Sequence, residues 1–313
     1  MKRVLILILL VLQLVGTTGC KAPVQSLSSS TPKTLAKSDT LPAIPEHPQR
    51  VALLTTALAE FWISAGGKDL IVACPLSGVQ DAHFKKIFNQ KIVDTGTSGI
   101  PNLEKIVSAN PDLILGLANY TPTSALKSSF QKSSIPYLEV KLDNLEDNFD
   151  ALRLYGRLTD HQDLAEKQIA NIKQEIKTEQ LRTSGRKHPK SLMLWSTANA
   201  VLMVTPSSKH GELLTLAGGD NIVPDLDSTL NKNSLSMEYI VEHQPDIIFL
   251  EMRGDPEKSQ NKAKLELFDN PAWQNLKAVQ ENHVYILPED IFSVNPGLRS
   301  GKAVTYLGRL LYK

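Results

Sequence analysis

Residues 102–117 read NLEKIVSANPDLILGL, and residues 236–251 read SMEYIVEHQPDIIFLE. Aligned without a gap, the two stretches are identical at six of sixteen positions. Each reads as a short helix, a Pro-Asp turn and a strand, because a short apolar run bounded by turn residues is typical of strands covered on both faces. The chain therefore repeats one supersecondary unit, which predicts two related lobes.

A second repeat precedes each copy of the first. Residues 65–72 read AGGKDLIV and residues 217–223 read AGGDNIV, so that paired glycines follow a helical pattern, as they do where helices end. From residue 50 onward, short apolar runs alternate with helical patterns, which predicts parallel sheets covered by helices. The predicted strands are 50–54, 70–74, 113–117, 137–141, 191–195, 247–251 and 284–287, and the predicted helices include 57–65, 103–109, 212–217 and 237–243.

The segment between the repeats carries helical periodicity and no strand pattern. Its second part, residues 163–180, is rich in Glu, Lys, Gln and Ala, which are good helix formers. We expect an α/β protein with two Rossmann-like lobes, whose parallel sheets are joined by a single long interlobe helix. Because the joint is a helix, we expect only modest hinge closure between the lobes. The expected boundaries are residues 49–143 for the first lobe, 144–184 for the connecting helical segment and 185–313 for the second lobe.

The N-terminus has the pattern of an export signal. Lys2 and Arg3 precede an apolar run over residues 4–15, which is too short for a bilayer core that needs roughly twenty residues. Small residues then lead to Cys20, and this pattern resembles the lipobox of bacterial lipoproteins, in which the cysteine becomes lipidated. Thr17 stands where the lipobox usually has an aliphatic residue. The alternative is ordinary cleavage after residue 19, which leaves a soluble secreted protein.

The expected signal peptide spans residues 1–19, and residues 20–48 are expected to be a lipidated cysteine and a disordered tether. The tether is rich in Ser, Thr and Pro, so it cannot bury a core. Composition excludes long-range disorder elsewhere, since 42% of the 313 residues are hydrophobic and 21% are charged. A formal net charge of +1 gives no reason to expect a nucleic-acid partner. With Cys20 lipidated, Cys74 is the only thiol left, and we expect it to be buried.

The region from residue 49 to residue 313 resembles the substrate-binding proteins of bacterial ABC importers for iron complexes, heme and cobalamin. The paired "E-x-I-V…PD" units, "LAGG-x-N" and the closing "W-x-x-L-x-AV…VY" carry this resemblance together. It implies a class III periplasmic binding protein fold with the ligand between the lobes. It further implies an extracytoplasmic lipoprotein, anchored to the membrane by its lipid, with an ABC permease and ATPase as partners and no intrinsic cofactor.

Ligands of parallel α/β sheets lie outside the carboxyl ends of the strands. Arg253, Lys209 and His210 are the predicted polar contacts, because a guanidinium and a helix N-terminus both favour anionic oxygens. The alternative for Arg253 is a solvated loop arginine that pairs with Glu251 or Asp255. Tyr120, Trp195 and Phe292 follow predicted strands and are expected to stack on a flat ligand, with sheet packing as the alternative for Trp195, and His83 is a further candidate.

The expected cargo is a ferric siderophore first, heme second and a corrinoid third. By the resemblance, heme-binding members place an axial Met and His where this chain has Gly99 and Arg253, which disfavours heme. His83, His210 and Tyr120 keep heme open. The seven histidines are scattered without close spacing, so no metal site is expected.

Glu104 and Glu238 occupy matching places in the two repeats. By the resemblance, such a pair docks to arginines of the permease. The structural alternative is stabilisation of the helix dipole, since each follows a predicted N-cap, Asn102 or Ser236.

An enzyme is not expected, because the sequence holds no nucleophile elbow, dinucleotide motif or zinc-protease motif. The remote alternative is a secreted thiol enzyme that uses Cys74 with a distant histidine.

Overall fold

The computed structural model describes residues 43–77, 92–120, 126–225, 234–292 and 296–313. The expected signal peptide, Cys20, most of the expected tether and His83 lie outside these ranges. Within them, no helix combines the length and the apolar character that a membrane crossing requires.

The first half of the chain forms a five-stranded parallel sheet in the order β3-β2-β1-β6-β7, beside a small antiparallel hairpin of β4 and β5. Its strands are β1 (Val51–Leu53), β2 (Ile71–Cys74), β3 (Val93–Asp94), β4 (Gly96–Thr97), β5 (Ile100–Pro101), β6 (Leu113–Leu117) and β7 (Tyr137–Val140). Its helices are α1 (Thr56–Ser64), α2 (Leu103–Ser108) and α3 (Lys127–Lys132), with a 3-10 turn at Lys68–Leu70.

Two helices follow, α4 (Leu145–Leu158) and α5 (Gln162–Thr183). The chain turns between them at Asp160, whose φ of 58° is left-handed. α4 packs against α1, where the rings of Trp62 and Tyr155 meet edge to face at 5.0 Å. The long interlobe helix expected from residues 163–180 is α5.

The second half forms a sheet in the order β10-β8-β11-β12, with parallel neighbours, and β9 pairs antiparallel with β8. Its strands are β8 (Lys190–Ser196), β9 (Val201–Met203), β10 (Asp220–Asn221), β11 (Ile247–Met252) and β12 (Val284–Ile286). Its helices are α6 (Lys209–Leu216), α7 (Met237–His243), α8 (Pro256–Ala263), α9 (Pro271–Gln274), α10 (Lys277–Gln280), α11 (Glu289–Phe292) and α12 (Ser300–Leu311), with a π-helical turn at Lys264–Phe268 and a 3-10 turn at Gly297–Arg299. All the predicted strands and helices are confirmed.

The aspartate of the repeated Pro-Asp turn plays the same part in each sheet. The carboxylate of Asp112 accepts the amides of Gln49 at 2.7 Å and Arg50 at 3.0 Å, just before β1. The carboxylate of Asp246 accepts the amide of Lys190 at 2.9 Å, where β8 begins. Each aspartate therefore satisfies backbone donors of the neighbouring parallel strand, which explains why the turn is repeated.

The repeated glycine pair ends a helix in each half. Gly66 and Gly218 have φ values of 84° and 93°, which L side chains rarely adopt. The next glycine, Gly67 or Gly219, donates its amide at 3.0 Å to the carbonyl five residues earlier. This is the Schellman arrangement, so the glycines stop α1 and α6 and direct the chain into the following strand.

One buried apolar cluster extends through both halves of the fold. It contains Leu53 of the first sheet, Ile169 of α5, and Met193 and Phe249 of the second sheet. The helical segment between the sheets therefore buries one of its faces. The core holds both sheets against α4 and α5.

Strand order places a topological switch point in each sheet. In the first, the chain runs outward from β1 to β3 and then returns to the other side of β1 at β6. In the second, the corresponding neighbours are β8 and β11. The loops that leave these four strands diverge, and ligands of open parallel sheets bind at such points.

Candidate functional site

Trp195 and Glu251 lie opposite each other at the switch point of the second sheet. They are register partners near the carboxyl ends of β8 and β11. One step further, the amide of Arg253 donates to the carbonyl of Ser196 at 2.8 Å, which extends the pairing into the loop. Backbone pairing in the sheet therefore fixes the Cα positions from which the side chains of Trp195, Glu251 and Arg253 project.

The Arg253 guanidinium is held by two neighbours. Its central carbon lies 4.3 Å from the centroid of the Trp195 ring, which is cation–π geometry. Its Nε lies 3.3 Å from Oε1 of Glu251. The side chain of Arg253 is 20% exposed, so the cation is positioned by the protein and still reaches solvent.

Glu251 is a carboxylate buried beneath this arginine. Its side chain is 2% exposed, and its Oε2 lies 3.2 Å from Nε2 of His210. Burial raises the pKa of Glu251 to about 7, against the opposing effects of the Arg253 charge and the Trp195 indole. This carboxylate therefore titrates near neutral pH.

His210 is the second residue of α6, and its ring meets Trp195 edge to face at 5.3 Å. Burial lowers the pKa of His210 to about 3; the carbonyl of Phe292 opposes this, whereas the Arg253 and Lys209 charges add to it. The ring is therefore neutral at pH 7. We assign its proton to Nε2, which lies 3.1 Å from the acceptor oxygen of Phe292.

Lys209 opens α6 beside this group. Burial lowers the pKa of Lys209 to about 8 and the Arg253 charge lowers it further, while Asp143, Asp147 and Glu212 oppose the shift. The ammonium is therefore mostly protonated at pH 7. The second lobe presents two neighbouring cations, Arg253 over the Trp195 ring and Lys209 at the start of α6.

The carboxyl ends of the two sheets meet next to Lys209. Glu212 of α6 accepts the amide of Leu145, the first residue of α4, at 2.9 Å. Asp143, in the turn before α4, accepts the side-chain amide of Asn119 at 2.9 Å, and Asn119 follows β6 of the first sheet. Loops from both lobes therefore converge at the start of the connecting helices.

Tyr120 is the first-lobe candidate at this edge. It follows β6, is half-buried, and burial raises the pKa of its hydroxyl. Its Oη lies 4.0 Å from the point where a Cβ on Gly99 would stand, at the tip of the β4–β5 hairpin. The tyrosine and the hairpin thus form one edge of the first lobe.

The structure brings four of the predicted site residues together: Trp195, Lys209, His210 and Arg253. Phe292 requires a correction, because its ring is fully buried and packs against Tyr306 at 5.8 Å. It is a core side chain, and only its carbonyl reaches the site. His83 lies outside the described residues.

Sequence reasoning considered Glu251 only as a partner for Arg253 and missed its place in the site. The signal was present, since a carboxylate ends an otherwise apolar strand, FLEM at residues 249–252. Such a group is buried only at a cost unless cations lie beside it.

Glu104 and Glu238 are both exposed in the first turn of a short helix, α2 or α7. The expected N-caps are confirmed: Asn102 accepts the amide of Lys105 at 3.0 Å, and Ser236 accepts the amide of Tyr239 at 3.2 Å. The docking role of the two glutamates stays a prediction.

The chemistry that a thiol enzyme needs is not provided at Cys74. The thiol is fully buried at the end of β2, and burial, with the Asp94 charge as a second cause, raises its pKa far above the usual range. Among the residues described, no three His, Cys, Asp or Glu side chains form a group that could hold a metal ion.

Known proteins share this architecture. A relative from Staphylococcus aureus, the high-affinity heme uptake system protein IsdE, is 28% identical over 68% of this chain and 72% of its own. Its crystal structure with heme superposes with a TM-score of 0.71 at 24% identity, over 84% of this chain and 99% of that one.

Two further solved structures share the fold. A Listeria monocytogenes ABC transporter substrate-binding protein gives a TM-score of 0.71 at 24% identity, over 85% of this chain and 99% of that one. The petrobactin-binding protein YclQ of Bacillus subtilis gives 0.70 at 21% identity, over 86% and 94%. These neighbours confirm the predicted class III α/β fold.

The family described as "Periplasmic binding protein" matches residues 51–291, which is most of the chain and includes the whole Trp195, Lys209, His210, Glu251 and Arg253 group. It is a family of binding proteins rather than enzymes, and its description places its members outside the cytoplasm. The chain therefore belongs to the periplasmic binding protein family.

Proposed function

We propose that this protein is an extracytoplasmic solute-binding lipoprotein that captures an iron complex and delivers it to the permease of an ABC importer. The observation that carries the proposal is the Arg253 guanidinium, stacked on Trp195 beside Lys209 at a sheet switch point. A binding protein of this family needs a ligand group at such a point, and these side chains suit an anionic, flat one.

A ferric siderophore is our first choice of cargo. Arginine and lysine pair strongly with the anionic oxygens of carboxylate or catecholate groups. The net charge of the chain is only +1, so this local pair of cations, rather than a global field, would recognise an anion. The structural neighbour YclQ, a petrobactin-binding protein, supports this choice.

Heme is our second choice, favoured by one observation in the first lobe. The Tyr120 hydroxyl lies 4.0 Å from the position of a Cβ at Gly99. By the family resemblance, Gly99 stands where heme-binding members have an axial methionine. A tyrosine can be an axial ligand of heme iron. The relative IsdE, a protein of a high-affinity heme uptake system, also supports this choice.

Two exposed helices would form the surface that docks to the permease. Glu104 and Glu238 lie in their first turns, and one helical turn further the matching Val107 and Val241 are 41% and 39% exposed. The two lobes would thus offer the same pair of side chains, one acidic and one apolar, to two equivalent sites of a permease.

The cargo is tested by purifying the full chain from bacterial membranes in mild detergent. We expect a visible absorption band of a ferric siderophore and its mass in the ligand extract; a Soret band would instead identify heme. Tryptophan-fluorescence titrations with ferric enterobactin, ferrioxamine B, hemin and cobalamin then rank the ligands. Binding of none of the four would contradict the proposed function.

The lipid anchor is tested by Cys20→Ser. We expect the wild-type protein in the membrane fraction, with a diacylglyceryl group on Cys20 in the mass spectrum of its N-terminal peptide. The variant is expected in the soluble fraction or unprocessed. An unmodified Cys20 in the wild-type protein would show that the anchor is absent.

Docking is tested in cells by a Glu104→Ala, Glu238→Ala double variant. We expect uptake of the iron complex to fail while the purified variant keeps its ligand affinity. Glu166→Ala, on the 60% exposed carboxylate of α5, is the matched control. Normal uptake with the double variant would exclude a docking role.

A further inference from the structure

The proposed function leaves one charged group of the site without a role, the buried carboxylate of Glu251. Its oxygens lie 3.3 Å from Nε of Arg253 and 3.2 Å from Nε2 of His210. Neither oxygen makes a hydrogen bond of standard geometry within the described part of the chain. A buried carboxylate that is contacted but incompletely bonded is expensive to keep ionised, so the cations around it decide its charge.

The charged and titratable groups facing Glu251 come from two elements. Arg253 lies on the loop after β11 and His210 belongs to α6, and the Lys209 charge, next along α6, acts on both Arg253 and His210. His210 is neutral near pH 7, so it adds no charge there. Trp195 of β8 is not titratable. Three carboxylates lie near Lys209 and raise its pKa: Asp143, Asp147 and Glu212. Glu251 is therefore the carboxylate paired with Arg253, whereas Lys209 has three carboxylates of its own.

We propose that Glu251 is the internal counter-ion of the ligand site: it balances Arg253 in the empty protein, and it takes up a proton when an anionic oxygen of the ligand replaces it. This inference rests on the proposed function and names the ligand class more narrowly. The site takes complexes that present a carboxylate or catecholate oxygen to Arg253, and it rejects complexes of net positive charge.

The physical reason is repulsion between two anions that share one guanidinium. A ligand oxygen placed on Arg253 comes close to the buried Glu251, and like charges at such a distance favour protonation of the more buried one. The step forms one O–H bond on Glu251 with a proton from solvent, and it breaks no bond in the ligand. Burial already raises the pKa of Glu251 to about 7, so the uptake needs little further energy at neutral pH.

Proton uptake is measured by titration calorimetry of the full chain with ferric enterobactin, a trianionic catecholate complex, in buffers of different ionisation enthalpy. At pH 7.5 the wild-type protein is expected to take up about 0.8 proton per ligand, and its affinity to fall about fourfold from pH 6.0 to pH 7.5. Glu251→Gln, which keeps the shape of the side chain, is expected to take up none. It should bind about fourfold more tightly than wild type at pH 7.5 and equally at pH 6.0.

Three controls separate this effect from others. Glu281→Gln removes a carboxylate of the same lobe that is 46% exposed, and it should behave as wild type. Lys209→Gln should keep the change between pH 6.0 and pH 7.5, because Lys209 titrates higher. Ferrioxamine B, a cationic complex, should gain no affinity in Glu251→Gln.

A ligand-free measurement supports the test. Trp195 is the register partner of Glu251 and its indole acts on that carboxylate, whereas Trp62 and Trp273 are buried elsewhere in the core. The fluorescence of the empty protein should therefore change with a midpoint near pH 7, and both Glu251→Gln and Trp195→Phe should abolish the change. Equal proton uptake in wild type and Glu251→Gln, or a flat wild-type fluorescence titration, would overturn the counter-ion role alone. If wild type binds none of the complexes, the proposed function fails and this inference falls with it.

Discussion

The two lobes share a frame and differ at the ends of their strands. The repeat aligns Glu251 with Leu117 and Arg253 with Asn119, so the second lobe carries charges where the first carries an apolar side chain and a neutral amide. The aspartates of the two Pro-Asp turns, by contrast, each accept a backbone amide at or just before the start of the neighbouring parallel strand. Duplicated positions therefore maintain the frame, while the unmatched positions at the carboxyl ends give each lobe its own binding chemistry.

The largest difference between the lobes is expected from Gly67→Ala and Gly219→Ala. A Cβ at Gly67 would overlap the rigid indole of Trp62, which also donates a hydrogen bond to the Gly67 carbonyl at 2.7 Å. A Cβ at Gly219 would meet the flexible side chain of Leu214 at 2.6 Å. We expect losses of about 3 kcal/mol and about 1 kcal/mol in unfolding free energy, measured by urea denaturation. Equal losses would show that the two helix ends are packed alike.

The next effect concerns ligand affinity. Arg253→Ala removes a guanidinium that pairs with an anionic ligand, and we expect the dissociation constant to rise about 100-fold. Asn119→Gly alters the matching residue, whose φ of 58° glycine tolerates, and the change should stay below about threefold. Both are measured by fluorescence titration with the complex that wild type binds. A larger effect at Asn119 would place the main recognition in the first lobe.

A smaller effect is expected from the repeated aspartates. Asp112→Ala leaves two backbone amides without their carboxylate acceptor, and Asp246→Ala leaves one. We expect about 2 kcal/mol and about 1 kcal/mol of destabilisation, since each bond lies partly in solvent. Thermal denaturation of both variants checks this order. The reverse order would mean that the second sheet depends more on its Pro-Asp turn.

The smallest effect is a pH dependence confined to the second lobe. Burial lowers the pKa of Lys209 to about 8, so this cation is present at pH 7 and is lost as the pH rises through 8. In Glu251→Gln, in which this carboxylate no longer titrates, affinity for an anionic ligand should therefore fall about threefold to fivefold from pH 7.5 to pH 9.5. The Lys209→Gln, Glu251→Gln double variant should already bind weakly at pH 7.5 and show a flat profile above it. An unchanged slope in this variant would assign the titration to another group.

Much of the fold follows from local sequence patterns. Continuous apolar runs predict buried parallel strands, and the glycine pairs predict helix ends, because both depend on nearby residues only. The order of the strands in each sheet does not follow from such patterns. It depends on which strands pair although they lie far apart in the sequence. The Pro-Asp turns show such pairing, because Asp112 bonds to residues 49–50 and Asp246 bonds to residue 190.

The site could be predicted only in part, for a related reason. Arg253, Lys209, His210 and Trp195 all lie near strand or helix ends, and sequence reasoning places them there. It could not show that Phe292 turns its ring into the core, because the packing against Tyr306 involves a distant helix. Burial of this kind is a property of the assembled core and has no local signature.

The hydrogen bond from the Leu145 amide to Glu212 has a consequence for the populations of open and closed forms. The donor begins the connecting helices and the acceptor belongs to the second lobe, so a rotation that moves the start of α4 away from α6 must break the bond. A bond of this type contributes about 1 kcal/mol, which corresponds to a roughly fivefold shift in an equilibrium. The Leu145–Glu212 bond therefore favours, by this amount, the arrangement in which the start of the connecting helices touches the second lobe.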